Sequence, residues 1–196
     1  MENFTPTHYT LECVATGRQF EDEGWMLDDP CCKIPSMIRT RYAVRQIDVR
    51  PDSYGFYWAG AVSDGTNVYF GSDNGLLYWR SIADFDTTGG VLDLTDVASD
   101  AGNVRSTVML DDGYLYFTTQ GGYLWCCSYD DGLTVEWHKK LGATSTSTPT
   151  KVGDRIYVGY YSGFNAGGVQ CVSADGSSVK TVVEGDGFPV QSSIVV

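Results

Sequence analysis

A chain of 196 residues makes one ordinary domain, or a small domain with an appendage, and is long enough to bury a core. Its 13 basic and 25 acidic residues leave a net charge of −12, which repels polyanions and excludes nucleic acid and anionic membrane surfaces as partners. Twenty-three glycines, 13 tyrosines and 8 phenylalanines against four methionines favour turns and aromatic strands over helices, and no apolar run approaches a membrane span.

In chain order, the opening MENFTPTHYT lacks the basic and apolar regions of a signal peptide. Tyr9-Thr10-Leu11-Glu12-Cys13 alternates like a strand and ends at a Thr16-Gly17 turn. Trp25-Met26-Leu27 and Ile47-Asp48-Val49 are further extended pieces, and Pro35 to Ala43 is expected to start a short helix. The runs YTLECVATG and PSMIRTRYA, with the acidic stretch between them, resemble the N-terminal leader of the threonine synthase and cysteate synthase family. That resemblance implies pyridoxal phosphate chemistry, but the lysine-bearing catalytic part of the family has no counterpart downstream. Residues 1–55 are therefore expected to form a small α+β appendage, joined by fusion near Asp52–Tyr57 to a different domain over 56–196.

From Gly60 the chain repeats itself. Asn67-Val68-Tyr69-Phe70-Gly71, Tyr114-Leu115-Tyr116-Phe117-Thr118 and Arg155-Ile156-Tyr157-Val158-Gly159 share an aromatic centre, with Tyr69, Tyr116 and Tyr157 spaced 47 and 41 residues apart. A period of roughly 40–50 residues holding several short strands is that of a β-propeller blade. The turn residues divide each repeat into four strands. The first repeat holds Trp58–Val62, Val68–Gly71, Leu76–Ile82 and Val91–Leu94; the second Val104–Leu110, Tyr114–Thr119, Tyr123–Ser128 and Thr134–Leu141. The third holds Ser147–Lys151, Ile156–Tyr160, Val169–Ser173 and Val179–Val183. Val190 to Val196 is expected to be the first strand of a fourth blade, since Gln191-Ser192-Ser193 matches Arg105-Ser106-Thr107. The blades thus run over about 57–97, 104–142 and 145–184, with a further strand over 188–196, and the three tyrosines are expected to be equivalent and buried.

Tyr116, Gly122, Leu124, Trp125, Asp130, Gly132 and Trp137 fall in the order of the pyrroloquinoline-quinone-like propeller repeat, which they resemble. The first blade keeps Tyr69, Gly75, Leu77 and Tyr78, and the third keeps Tyr157, Gly168 and Gly176; neither has the closing tryptophan. The resemblance implies an all-β partial propeller of about three antiparallel blades plus one strand. It implies little about activity, because most such repeats bind no quinone.

Candidate chemistry is sparse. Cys13, Cys31, Cys32 and His8 include the ligand types of a structural zinc, but Thr16 stands where a paired cysteine is wanted and Cys31-Cys32 is too close for a knuckle, so buried thiols are the competing reading. Asp93, Asp96 and Asp100, with Asn103, offer oxygen donors for calcium at a spacing that matches no known loop, against a reading as turn residues. Some quinone-dependent alcohol dehydrogenases hold their cofactor against a disulfide of neighbouring cysteines, which gives Cys126-Cys127 interest. Within a strand, however, the two side chains point to opposite faces, one expected in the core and one outside. His138 lies in an expected outer strand, no Gly-x-Ser-x-Gly elbow is present, and Thr144 to Thr148 is expected to be a small polar strand near the propeller axis.

The sequence thus predicts a non-catalytic binding or scaffolding module without cofactor, a piece of a larger surface or secreted protein, taking a protein or glycan ligand. It is expected to complete its ring by self-association or with the rest of a larger propeller, since three blades do not close alone. The alternative is a fragment of a cofactor-dependent enzyme, of the quinone or the pyridoxal phosphate type.

Overall fold

The computed structural model describes residues 9–21, 23, 29, 31, 37–42, 59–85, 87–130, 132–186 and 188–195. The chain divides into two compact units, Met1–Val49 and Arg50–Val196.

In the first unit, β1 (Tyr9–Cys13) is the centre of a three-stranded antiparallel sheet, flanked by β2 (Gln19–Phe20) and β3 (Ile38–Tyr42). The turn after β1 places Gly17 at φ 71°, a conformation that favours glycine. The helix expected over Pro35–Ala43 is corrected: Ile38 to Tyr42 pair with β1 along its whole length. Ile38 and Thr40 are β-branched, and Arg39 stands opposite Glu12, whose Oε1 accepts from Arg39 Nε at 3.1 Å. Local propensity yields here to a cross-strand partner far away in sequence. The described part of this unit is therefore strand rather than α+β. Trp25–Leu27 and Ile47–Val49 lie outside the described residues.

The second unit holds three four-stranded antiparallel sheets, each a simple meander. Blade one is β4 (Val62–Ser63), β5 (Asn67–Gly71), β6 (Leu76–Ser81) and β7 (Gly89–Asp93). A single 3₁₀ turn, Leu94–Asp96, leads on to blade two. That blade is β8 (Met109–Asp111), β9 (Tyr114–Thr119), β10 (Tyr123–Ser128) and β11 (Thr134–Lys140). Blade three is β12 (Thr150–Val152), β13 (Arg155–Ser162), β14 (Ala166–Ser173) and β15 (Val179–Asp186). The β8–β9 hairpin turns on Asp112 and Gly113, at φ 45° and 82°, the positive pair that a two-residue turn matching strand twist requires.

The tyrosine of each second strand sits at the same rung. Val62, Tyr69, Trp79 and Gly90 lie opposite one another across blade one; Met109, Tyr116, Cys126 and Trp137 across blade two; Thr150, Tyr157, Cys171 and Lys180 across blade three. Tyr69 and Tyr116 are 1% and 3% exposed, whereas Tyr157 is only half-buried. The first two face the next blade, and Tyr157 faces the flank of blade three that no described blade covers.

Alternation along the strands sorts the core into two layers. Leu115, Phe117, Trp125 and Cys127 of blade two pack with Tyr69 and Leu77 of blade one. Tyr116, Leu124 and Cys126 point the other way, against Ile156, Val158 and Val172 of blade three. A sheet covered on both faces reads as a continuous apolar run, which is why β9 and β10 are buried almost without interruption.

The innermost strands are shorter than the sequence predicts, because only their last residues join the ladder. The preceding stretches, 104–108 and 145–149, run from blade to blade in extended but unpaired form, and so do 188–195, which form no strand. They are fixed by one repeated bond to the blade before: Val104 N–H to Ser72 O at 3.0 Å, Ser145 N–H to Thr119 O at 3.4 Å, and Val190 N–H to Tyr160 O at 3.4 Å. Buried hydroxyls do the rest. Ser106 Oγ accepts from Thr118 N–H at 2.8 Å, Ser145 Oγ donates to Gly159 O at 2.7 Å, and Ser147 Oγ donates to Ser192 O at 2.8 Å. Gly71 and Gly159 make room for this approach, since a Cβ there would lie 2.2 Å from Val104 Cγ1 and 2.6 Å from Val190 Cγ1.

Candidate functional site

The register gives the blades two distinct ends. One carries the β5–β6 and β9–β10 turns and the incoming inner stretches; the other carries the β4–β5, β8–β9 and β10–β11 turns. At the first end the inner stretches line an open groove of about 500 Å³. Its walls come from equivalent positions of three successive repeats: Arg105, Thr146 and Gln191, then Thr107, Thr148 and Ser193. The intervening Ser106 and Ser147 are buried, so in these two stretches the alternation of an extended chain delivers every second side chain to the groove; Ser192, at the equivalent place in the third, is exposed and lines the groove as well.

The groove offers hydroxyls and an amide, groups that both donate and accept hydrogen bonds, and one cation. Arg105 is pre-positioned by Asp73 in the β5–β6 turn: Nε donates to Oδ1 at 2.7 Å and an Nη to Oδ2 at 2.5 Å. This two-pronged pair offsets the charge and ties the groove wall to blade one. Among the described residues no three His, Cys, Asp or Glu side chains converge to hold a metal ion.

The candidate calcium and zinc residues that are described lie apart from the groove. Asp93 caps the 3₁₀ turn, accepting from Thr95 N–H at 2.9 Å, and Asp96 lies in its first turn. Asp100 accepts from Lys140 Nζ at 2.8 Å and from the Tyr123 hydroxyl at 2.7 Å. These bonds hold its carboxyl below the ordinary range. Asn103 donates to Gln120 Oε1 at 2.9 Å. Cys13 is buried in β1, and Cys31 is exposed, its N–H donating to Asp29 Oδ1 at 2.8 Å. The Arg18 guanidinium, bonded to Asp29, holds that carboxyl at about 2. His8 and Cys32 lie outside the described residues.

Cys126 and Cys127 do point to opposite faces, but both are buried, where one was expected outside. Blade two has a neighbour on each side, so neither face is an outer one. Burial pushes the Cys126 thiol up to about 11 and that of Cys127 well above its usual value. Such thiols are poor nucleophiles, and neither lines the groove. The groove residues themselves escaped the sequence reading. The matched runs Val104-Arg105-Ser106-Thr107, Ser145-Thr146-Ser147-Thr148 and Val190-Gln191-Ser192-Ser193 hold the signal that identifies them.

The chain matches no protein-family model and no curated protein. Among solved structures it is similar to a europium-containing methanol dehydrogenase, at 18% identity and a TM-score of 0.55, over 67% of this chain and 25% of that one. It is also similar to the quinohemoprotein alcohol dehydrogenase ADHIIG from Pseudomonas putida HK5, at 17% identity and a TM-score of 0.50, over 63% of this chain and 20% of that one. BamB from Moraxella catarrhalis matches at 18% identity and a TM-score of 0.48, over 66% of this chain and 36% of that one. The likeness to the two dehydrogenases, with the three four-stranded meanders, shows the fold: the second unit is a run of β-propeller blades. The chain spans about a quarter and a fifth of the two dehydrogenases. The resemblance of residues 1–55 to a synthase leader gains no support from these comparisons.

Proposed function

We propose that the chain is a non-catalytic propeller module, at a cell surface or outside the cell, that binds a protein or glycan ligand through the end where the axial groove opens. The observation that carries this reading is the groove itself, in which three repeats present matched polar side chains on one surface. Hydroxyls and an amide suit a ligand rich in hydrogen-bonding groups, such as a peptide backbone or a sugar. Among the described residues that line the groove, Arg105 is the one charged group and none is a histidine, cysteine or carboxylate.

In this reading further blades, from a second copy or from the rest of a larger propeller, cover the open flank of blade three. Half-buried Tyr157 lies there, on the same face as the Val169–Val183 pair, and Val183 is 51% exposed.

Peptide and oligosaccharide arrays test the binding reading. A ligand held by the wild-type chain is expected to be lost about tenfold or more on Thr148→Val combined with Gln191→Ala, with unfolding unchanged. Equal retention by that variant contradicts the groove. A bound chromophore absorbing between roughly 330 and 430 nm favours the alternative, a piece of a cofactor-dependent enzyme. Light scattering tests the flank: the expected mass is a multiple of the 21.5 kDa monomer, and a single monomeric species stable on dilution argues against self-association.

A further inference from the structure

Blade three departs from the repeat at its β13–β14 hairpin. Seven residues join Tyr160 to Gly168, where three join Ser72 to Leu76 in blade one and Thr119 to Tyr123 in blade two. The four extra residues lengthen the ladder by the pairs Tyr161 with Gly167 and Ser162 with Ala166. Gly163 turns the chain at φ 60°, where an added Cβ would meet nothing within 4 Å, so the tip projects into solvent. Ser162 to Ala166 are all exposed, and Phe164 at the tip is 88% exposed. The shorter turns, Asp73-Asn74-Gly75 and Gln120-Gly121-Gly122, carry no apolar side chain.

The extension is tied to the groove twice. Tyr161 N–H donates to Thr144 O at 2.9 Å, and Thr144 leads within two residues to Thr146 on the groove wall. The third inner stretch starts on the same hairpin: a Cβ at Gly167 would lie 2.9 Å from Phe188 O and 3.0 Å from Pro189 Cα. Val190 N–H then bonds Tyr160 O, and the next residue, Gln191, lines the groove. Phe188 is itself 76% exposed. One phenyl ring thus stands in water on the hairpin tip, and another where the groove stretch leaves the hairpin.

A phenyl ring has no polar edge, unlike the Tyr and Trp rings that suit half-wet contacts, so its gain comes from apolar surface alone. A sugar, clad in hydroxyls, offers less of that than an aliphatic or aromatic side chain does. A lipid surface is opposed by charge. Residues 160–168 hold no cation, exposed Glu184 stands opposite Gly168, and the chain carries a net −12. The polar groove next to the hairpin suits the other part of a polypeptide, its backbone amides. We propose that the β13–β14 hairpin is the apolar anchor of a polypeptide ligand, which seats an apolar side chain against Phe164 and lays its neighbouring backbone in the groove. The proposal rests on the groove reading and narrows the ligand from protein or glycan to protein.

The test uses the full chain on an array of short peptides, each printed in three forms with Leu, Phe or Ser at its centre. Retained peptides are expected to be Leu and Phe forms, bound about tenfold more tightly than their Ser twins. Phe164→Ser is expected to erase that preference and Phe164→Leu to keep it, both with an unchanged melting temperature because the ring is exposed. An array that retains no peptide, Ser forms that bind equally, or a preference that survives Phe164→Ser overturns the anchor. So does retention of oligosaccharides in place of peptides. The Thr148→Val, Gln191→Ala variant separates the two readings. Peptides that need the groove but not Phe164 overturn the anchor alone, and peptides that need Phe164 but not the groove overturn the groove reading alone.

Discussion

Trp125→Ala is expected to lower the stability of the chain by about 3–5 kcal/mol, the usual cost of emptying a large buried aromatic site. Trp125 is fully buried in the layer between blades one and two. It stacks on Phe117, with centroids 6.3 Å apart and planes 5° from parallel, and on His138 at 4.9 Å. Its indole N–H donates to Thr119 Oγ1 at 3.2 Å, so truncation also strips a partner from a buried hydroxyl. The surrounding strands are tied into ladders on both sides and cannot collapse into the space. Domains of this size hold about 5–15 kcal/mol in total, and the variant is left marginal. Urea unfolding followed by circular dichroism measures it. A loss below about 1 kcal/mol contradicts the packing of this layer.

Gly121→Ala is the second severe change, and it acts through the backbone. The β9–β10 turn lies on the connection between blades one and two: Gln120 N–H donates to Asn103 O and Gly121 N–H to Ala101 O, both at 2.9 Å. This close approach leaves no room for a side chain. A Cβ at Gly121 would stand 1.9 Å from Asp100 O and 2.3 Å from Ala101 O. Both are carbonyl oxygens of a segment held by its own bonds, so relief requires the turn to lift off and break its contacts. Overpacking of this kind costs about 3 kcal/mol, at the upper end of its usual range. For a unit of this length that lowers the melting temperature by about 6–12 °C. A melting point within about 2 °C of wild type contradicts the docked turn.

The features legible in the sequence were those set by local chemistry. Tyr114–Thr119 and Tyr123–Ser128 have their sequence-predicted boundaries, because Asp112-Gly113 and Gly121-Gly122 punctuate them. The rung tyrosines were equally plain, since aromatic residues in a repeated frame have few other uses. The inner stretches were harder. Val104–Leu110 reads as a strand, yet its first half is extended chain bonded to Ser72 O and the Asp73 carboxylate of the blade before it. Ser106 Oγ bonds it to Thr118 of its own blade, and sequence patterns do not record a non-ladder bond. Ile38–Tyr42 was misread for a related reason, since a pairing with Tyr9–Cys13 decides it across a long gap. The groove was not visible in advance, because Arg105, Thr146 and Gln191 come to one surface only when the blades are stacked.

The central claim is that three equivalent blades stack so that the stretches that follow them share one groove. Cross-strand nuclear Overhauser effects test it most directly, because they report which backbone lies beside which. The account predicts contacts linking Val62, Tyr69, Trp79 and Gly90 in that order, then Met109, Tyr116, Cys126 and Trp137, then Thr150, Tyr157, Cys171 and Lys180. It also predicts a contact from each of Val104, Ser145 and Val190 to the blade before it. Rungs in any other order, or inner stretches that touch only their own blade, would contradict it.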